Sequence, residues 1–595
     1  MMMKFPYGIA DFYKVITQDY FYTDRTDRIP LLEAAGEQLL FLRPRRFGKS
    51  LLLSMLENYY DVARADEFER LFGHLAIGQN PTPLHNQYLV MRWDFSEIDP
   101  SGGAQEIKQA LHRNLNVHIR AFTLYYRTLL PADIYIDPVD GLTSFQSLVS
   151  VVRATPYRLY LLIDEYDNFA NEVLMSTQPG RRADYESLVT GDGLLKTVFK
   201  VIKSAATGRG LDRVFITGVS PVVLSDATSG YNVAKNIYLR PKFNDLCGFW
   251  EAEIETALRQ MVQECNWPAS KAVEALAVMR MFYNGYVFHQ DAPDRLYNPT
   301  LALYFLDYLQ DECQYPPNML DSNFATDRNK IAYVAQLVGG AHLILDALQD
   351  HTPLHLPKLE DRFGLREILR GTQTDPFMAS LLYYLGVLTL GKPTKRGELT
   401  LHIPNLVSRK LYAERIRNSL LPNRRDHDTG RRAAQALYQT GEMQPLCDFI
   451  EQYYFKVFDN RDYQWTNEIT IKTAFLTLLF EDTFYIMESE ATLERRYTDL
   501  LMLIRPEMRK YELLDILIEF KYLQLKALAL DQTQVRALSA AELAALPLVA
   551  EKLAEARAQA HTYHQRLEAK YGNILRLRGY AVVAVGFERL VWEAL

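Results

Sequence analysis

Apolar positions along the chain follow two periodicities. Short, nearly continuous apolar runs at Leu39 to Leu42, in YLVMRWDFSE (Tyr88 to Glu97), at Leu159 to Ile163 and in RVFITGVSP have the length and composition of strands buried on both faces. Between them apolar residues recur at helical spacing: Leu52, Leu56 and Tyr59 share one face, and GGAQEIKQALHRNLNVHIRAFTLYYRTLL and the basic LLKTVFKVIKSAATGRG continue the pattern. Strands alternating with helices predict an α/β domain with a parallel sheet over residues 1–240. From about 243 the pattern turns helical, with Asn244 or Asp245 as cap of the run in FNDLCGFWEAEIETALRQMV. A helical lid and a winged-helix-like module with a hairpin around Lys392 to Glu398 are expected over 241–410. NRRDHDTGRR (Asn423 to Arg432), inside a helical connector over 411–460, reads as an exposed solvated link. Over 461–595 the alternation returns: an amphipathic helix starting near Glu468, strands in YIMESEATLE, YTDLLMLIRP and LLDILIEFKY, and an Ala/Leu/Glu-rich helical stretch from Leu538 to Ala560.

Two places along this pattern carry candidate chemistry. The first strand enters a basic loop that closes on Gly48-Lys49-Ser50 and opens into a helix. That is the context of a P-loop: backbone N–H groups and the helix N-terminus face an anion, Lys49 reaches the terminal phosphates of ATP, and the Ser50 hydroxyl ligates Mg²⁺. Arg43 stands where the first glycine of that motif belongs; without a partner site, a surface turn before a helix explains the stretch equally well. The partner is Asp164-Glu165, at the end of the third apolar strand. There Asp164 can hold Mg²⁺ through water and Glu165 can polarise the attacking water. Arg45 and Arg46 are basic enough to act near phosphate. Farther on, Glu519 and Lys521 lie two apart in a strand and therefore share a face. An isolated Glu-x-Lys is usually a salt bridge, but here Glu468 on a helix and Asp499 on a strand precede it.

Taken in order, RPRRFGKS, LLIDEYD, VFITGVSPV, FNDLCGFWEAEI, FYNGYVF and YNPTLALYFL resemble the bacterial AAA-ATPase-like family whose members carry a C-terminal PD-(D/E)XK nuclease domain. In that family arginine occupies the Arg43 position. The resemblance implies a P-loop NTPase sheet with an extra strand between the P-loop strand and the Asp-Glu strand, followed by an α/β/α nuclease. It puts Thr217, with Ser220 nearby, at the sensor position facing the γ-phosphate, and Asp24 and Thr26 near the nucleotide, though Asp24 alone reads first as a cap or turn residue. In SGYNVAKNIYL it matches Ser229, Gly230 and Asn232 but meets Asn236 where Asp is usual. In the nuclease it makes Asp499 and Glu519 the Mg²⁺ ligands and Glu468 and Lys521 catalytic partners. Gln559 and Tyr563 match the Gln-x-x-x-Tyr element that lies beside DNA in the RecB-like branch. Arg496 and Tyr497 replace the usual Gly-Arg before the metal Asp, and RPEMRKYE lengthens the Asp499 to Glu519 interval. Phe282, Tyr283 and Tyr286 read as packing under the lid, with base stacking as the alternative.

Composition bounds these readings. The 595 residues exceed one domain, and 48% hydrophobic with 23% charged residues is ordinary for a globular protein with a large core. A net charge of −7 gives no global basic field, so DNA or RNA contact must use local patches. Cys247, Cys265, Cys313 and Cys447 show no CxxC spacing and read as reduced core residues. No apolar run is long enough to span a membrane and MMMKFPYG is no signal peptide, so cytoplasm is expected. The expectation is an ATP-regulated, Mg²⁺-dependent nuclease acting on foreign or aberrant DNA or RNA, as in antiviral defence. An arginine finger from a neighbouring subunit, hence a homo-oligomer, suits such an ATPase. The rivals are a nucleotide-driven switch or scaffold with an inactive nuclease-like domain, and an ATPase that remodels protein partners.

Overall fold

The computed structural model describes residues 3–175, 183–184, 187–188, 193–221, 233–320, 331–335, 337, 339–348, 353–360, 375–458, 468–489, 492–493, 496–497 and 499–595. Contacts divide the chain into two units. The first holds 1–313, 321–340 and 355–405, and the second holds 314–320, 341–354 and 406–595.

In the first unit, β1 (Gln38–Leu42), β2 (Tyr88–Asp94), β3 (Arg158–Asp164), β4 (Leu211–Gly218) and β5 (Lys235–Asn236) form one sheet in the order β2-β3-β4-β1-β5. Every pairing in it is parallel. Residues 159–163 of β3 are wholly buried, as the unbroken apolar run requires when helices cover both faces. Helix α1 (Lys49–Tyr60) follows β1, and α2 (Ala104–Tyr125) and α3 (Gly141–Arg153) lie between β2 and β3 in sequence. The strand standing between the P-loop strand and the Asp-Glu strand is β4, whereas β2 is at the sheet's edge. The Tyr88 run precedes β3 in sequence without separating it from β1 in space.

After the sheet come three further helices of this unit, α4 (Glu251–Glu264), α5 (Ser270–Tyr283) and α6 (Pro299–Glu312). The expected hairpin forms between β6 (Thr389–Leu390) and β7 (Leu399–His402), with Thr389 opposite His402. Parts of the winged-helix-like expectation, at 321–330 and 361–374, lie outside the described residues, as do Ser229, Gly230 and Asn232. One expectation is overturned. Cys265 and Cys313 are joined in a disulfide, with Cα atoms 5.6 Å apart, while Cys247 and Cys447 are free and buried. Each bonded cysteine is the C-cap of its helix, α4 or α6, and the two helix ends meet although 48 residues separate them in sequence.

The second unit starts with α7 (Leu406–Leu420) and α8 (Arg424–Thr440). The polar run at 423–432 lies almost wholly on α8, and most of its residues are exposed. Its apolar face begins at Gly430, where an added Cβ would meet Phe449 and Leu478, and continues through Ala433, Ala434, Leu437 and Tyr438. Then come α9 (Glu468–Leu479), β8 (Tyr485–Ser489), β9 (Leu500–Ile504), β10 (Asp515–Leu523), α10 (Pro547–Tyr571), β11 (Leu577–Val585) and β12 (Arg589–Ala594). The sheet order is β12-β11-β10-β9-β8. It is an antiparallel meander as far as β10, after which α10 carries the chain across to β11, parallel to β10. The long β9–β10 connection is tied down: Arg509 grips the fully buried Asp515 carboxylate at 3.0 Å, and Asp515 also accepts the Ile504 N–H at 2.8 Å.

No described helix is long and apolar enough to cross a membrane.

Candidate functional site

Two sites emerge, one in each unit. In the first, the segment 43–48 leaves β1 and delivers Lys49 to the first position of α1. Arg46 (φ 65°) and Gly48 (φ 89°) both take the left-handed conformation, which folds the backbone into a concave loop at a helix N-terminus. A Cβ at Gly48 would touch nothing, so glycine serves conformation there and not space.

Arg43, the residue in place of the expected glycine, is 1% exposed. Its guanidinium donates to the carbonyls of Leu42, Tyr238, Phe243 and Asn244 at 2.7–3.2 Å and lies against the rings of Phe41 and Phe288. Burial pushes its pKa down to about 10. It anchors the loop from behind.

Lys49 is also buried, and its ammonium donates to the carbonyls of Arg43 (3.1 Å) and Pro44 (3.0 Å). Burial lowers its pKa, against the pull of Glu165 and Asp164. Asp164, at the end of β3, accepts from Thr217 Oγ1 at 2.7 Å and from Arg92 Nη2 at 2.9 Å. Thr217 therefore reaches the Asp164 carboxylate, whereas Ser220 turns to Asp167. Glu165 has φ 47°, a strained conformation for a non-glycine residue. Burial raises its pKa, opposed by Lys49 and Arg45.

A cavity of about 270 Å³ is lined by Arg46, Gly48, Lys49, Ser50 and Glu165 together with apolar residues that include Ile9, Phe21, Leu246, Phe249 and Leu303. A polar floor at a helix N-terminus with apolar walls suits a ligand that is anionic at one end and flat and apolar at the other. Arg45 does not line this cavity; it donates to Asn168 and lies 3.5 Å from Glu172. Phe282, Tyr283 and Tyr286 are buried outside the lining and serve packing, Tyr286 edge-on to Phe47. Asp24 is a turn residue, binding Thr26 N (2.8 Å) and Thr26 Oγ1 (2.6 Å) and accepting the Ala76 N–H at 2.7 Å. Sequence reasoning missed Arg92, whose signal was a charge within an otherwise apolar strand.

In the second unit Asp499 immediately precedes β9, and Glu519 sits in β10, 8% and 2% exposed respectively. They hold each other through the backbone: Glu519 Oε1 accepts the Asp499 N–H at 3.2 Å, and Asp499 Oδ2 accepts the Phe520 N–H at 2.7 Å. Each carboxylate thereby keeps one oxygen outside that exchange. Lys472 of α9, unforeseen, reaches Asp499 Oδ1 at 2.5 Å and Glu468 Oε1 at 3.4 Å. Its signal was the i, i+4 spacing from Glu468. Among the described residues no three His, Cys, Asp or Glu side chains converge as a metal-binding group, so Glu468 joins the pair only through Lys472. Lys521 donates to the Phe520 carbonyl at 3.0 Å, so the expected alignment of its ammonium with the carboxylates is not what its hydrogen bond serves.

On α10 the expected Gln559–Tyr563 pair divides. Gln559 is exposed, but the Tyr563 ring is 6% exposed in an apolar cluster with Leu501, Leu503, Leu517 and Leu567. Tyr563 packs in the core because its helix face is the one that covers the sheet, and Gln559 is the member of the pair left on the surface.

Among solved structures, the chain is similar to the Walker-type ATPase of Pyrococcus abyssi (15% identity, TM-score 0.36, covering 66% of this chain and 96% of that one). It is also similar to the Aeropyrum pernix ORC1 protein solved in complex with DNA (13% identity, TM-score 0.24, 67% and 96%). Over 515 residues it is 23% identical to an uncharacterized protein in the vnfD 5′ region of Azotobacter chroococcum mcd 1, covering 82% of this chain and 84% of that relative. Residues 6–228, which hold the five-stranded parallel sheet up to β4, the P-loop and Asp164-Glu165, match the AAA-ATPase-like family model, described as a predicted AAA-ATPase.

Proposed function

We propose that this chain binds and hydrolyses ATP and uses that cycle to regulate a Mg²⁺-dependent nuclease on its second unit, acting on DNA or RNA in defence against foreign nucleic acid. The observation that carries the reading is that Lys49, Ser50 and Glu165 line one cavity at a helix N-terminus, at the carboxyl end of a parallel sheet. The loop N–H groups and Lys49 bind the phosphates, the apolar wall takes the base, and Glu165 orients the attacking water and accepts its proton.

The donor sets fit Mg²⁺. Ser50 and Glu165 offer hard oxygens in the cavity, while Asp164, with both oxygens engaged by Thr217 and Arg92, suits contact through water. Asp499 and Glu519 offer two buried hard carboxylates side by side, with a lysine ammonium already against one of them. When bound, Mg²⁺ supplies positive charge to the phosphate oxygens at either site. The order helix, three-strand meander, crossover helix and parallel strand around Asp499 and Glu519 supports the nuclease half. A homo-oligomer that supplies an arginine finger completes the proposal.

The test is a cleavage assay on plasmid, linear and single-stranded substrates in Mg²⁺, crossed with ATP, a non-hydrolysable analogue and no nucleotide. Nucleotide-dependent cutting supports the reading. A second reading, a nucleotide-driven scaffold with an inactive nuclease-like unit, is favoured by Lys472 in the carboxylate pocket. Absence of cutting in Mg²⁺ and Mn²⁺ with every substrate and nucleotide would establish it instead.

A further inference from the structure

We infer that Lys472 is a built-in counter-cation of the Asp499–Glu519 pocket, so that a divalent metal enters by displacing its ammonium onto Glu468. The inference rests on the metal-site reading above. Asp499 spends Oδ2 on the Phe520 N–H, and Lys472 takes the remaining Oδ1 at 2.5 Å. The Oδ1 oxygen has a second lone pair, but a divalent ion bound there would stand within a few ångströms of the ammonium, and two cations that close in a buried pocket repel strongly. That repulsion drives the ammonium out.

The structure provides the route. Helix α9 is fixed by its apolar face: Ile471, Ala474 and Phe475 are fully buried, and the Phe475 ring packs 4.8 Å from that of Phe520 on β10. The backbone of Lys472 therefore stays while its four-carbon stem swings. Glu468, one helical turn back, already stands 3.4 Å from the ammonium and is more exposed than Asp499 (35% against 11% for the side chains). It is the outer berth for the displaced charge. Glu468 then acts as a positioning residue for Lys472 and not as a metal ligand, which accounts for the absence of a three-carboxylate cluster among the described residues. Two close buried carboxylates without any cation would repel each other, and Lys472 offsets that repulsion before metal arrives.

The test measures Mn²⁺ binding to the full chain without nucleotide, by titration calorimetry and by the loss of the free-ion electron-spin signal. Lys472→Met should tighten the Asp499-dependent site tenfold or more, Lys472→Arg should leave it near the wild-type affinity, and Glu468→Gln should weaken it several-fold. Unchanged or weaker binding in Lys472→Met, with unfolding midpoints matching wild type, overturns the inference. A second measurement needs no variant. Mn²⁺ should raise the rate at which an amine-acylating reagent labels Lys472 in the wild-type chain, read by peptide mass spectrometry, and an unchanged rate overturns it equally. If Asp499→Asn lowers Mn²⁺ binding but Lys472→Met does nothing, the displacement fails and the metal site stands. If Asp499→Asn changes nothing in either background, the metal-site reading itself fails and the inference with it. Binding that is absent in wild type but gained in Lys472→Met supports the displacement.

Discussion

The Arg43 guanidinium lies 3.9 Å from the centre of the Phe288 ring while donating to the carbonyls of Tyr238, Phe243 and Asn244. A residue that looks like a defect in the phosphate loop is thus the pin that holds the loop against the segments following β5. Replacing it by the glycine of the general motif should damage the protein. Arg43→Gly takes the guanidinium donor away from four carbonyls and opens a cavity, at a cost of about 3 kcal/mol or more. Urea unfolding followed by tryptophan fluorescence should show a midpoint well below wild type. An unchanged midpoint would remove Arg43 from its anchoring role.

Nucleotide binding and hydrolysis should separate at two residues. Lys49→Ala removes the cation that the loop carbonyls hold in place and should abolish binding of a fluorescent ATP analogue. Glu165→Gln should bind the analogue normally yet release phosphate slower by about two orders of magnitude. Parent-rate hydrolysis in Glu165→Gln would transfer the role of base elsewhere.

Burial raises the pKa of Glu165, which makes hydrolysis sensitive to acid sooner than an ordinary carboxylate would. The active form is the carboxylate. As pH falls through the raised pKa the base is protonated and the rate drops, at a pH above the usual carboxylate range. For stability the sign is opposite to that of a salt-bridged acid: between the unfolded and the raised folded pKa the native state binds more protons, so stability declines as pH rises through that window. A phosphate-release profile from pH 4 to 8 should show the acid limb in wild type. Glu165→Gln, assayed at high enzyme concentration, should lack it.

Much of this was legible in the sequence because the deciding interactions are local. The unbroken apolar run before Asp164 announces a strand buried on both faces, and the loop closing on Gly48-Lys49-Ser50 announces its own geometry. What escaped was set by contacts between distant segments. The spatial neighbour of β1 is β4, some 170 residues on, and no periodicity records that. Tyr563 matches half of a recognition pair, but it also stands three residues after Ala560 and four before Leu567, the spacing of the helix's core face. Lys472 was hidden as an ordinary helix lysine whose meaning depends on where β9 begins.

The cysteines offer an independent check on the first unit. In denaturant without reductant, two thiols per chain should react with a chromogenic disulfide reagent, Cys247 and Cys447, and four after reduction. Peptide mapping should recover Cys265 linked to Cys313. Opening that bridge frees a loop of 48 residues, and chain entropy alone puts the loss of stability at about 4 kcal/mol as an upper value. Four thiols reacting before reduction would restore the reduced state read from the sequence.

The metal pair decides between enzyme and scaffold. Asp499→Ala or Glu519→Ala each removes one of two buried hard carboxylates, together with the one backbone hydrogen bond that carboxylate accepts. Either should reduce cleavage by about two orders of magnitude or more. Lys521→Ala should cost less, roughly tenfold, because its ammonium is held by the Phe520 carbonyl and must turn to reach a phosphate. Binding of nucleic acid, followed by anisotropy of a labelled strand, should survive all three changes and strengthen in the two carboxylate variants, since carboxylates repel a phosphodiester. Phosphate release from ATP without nucleic acid should be untouched, because Lys49, Ser50 and Glu165 belong to the first unit and Asp499, Glu519 and Lys521 to the second. Equal cleavage by wild type and by both carboxylate variants would move the chemistry to another part of the chain. Tight binding of nucleic acid with no cleavage in any variant would leave Asp499 and Glu519, closed by Lys472, as a structural ion cluster in a binding module.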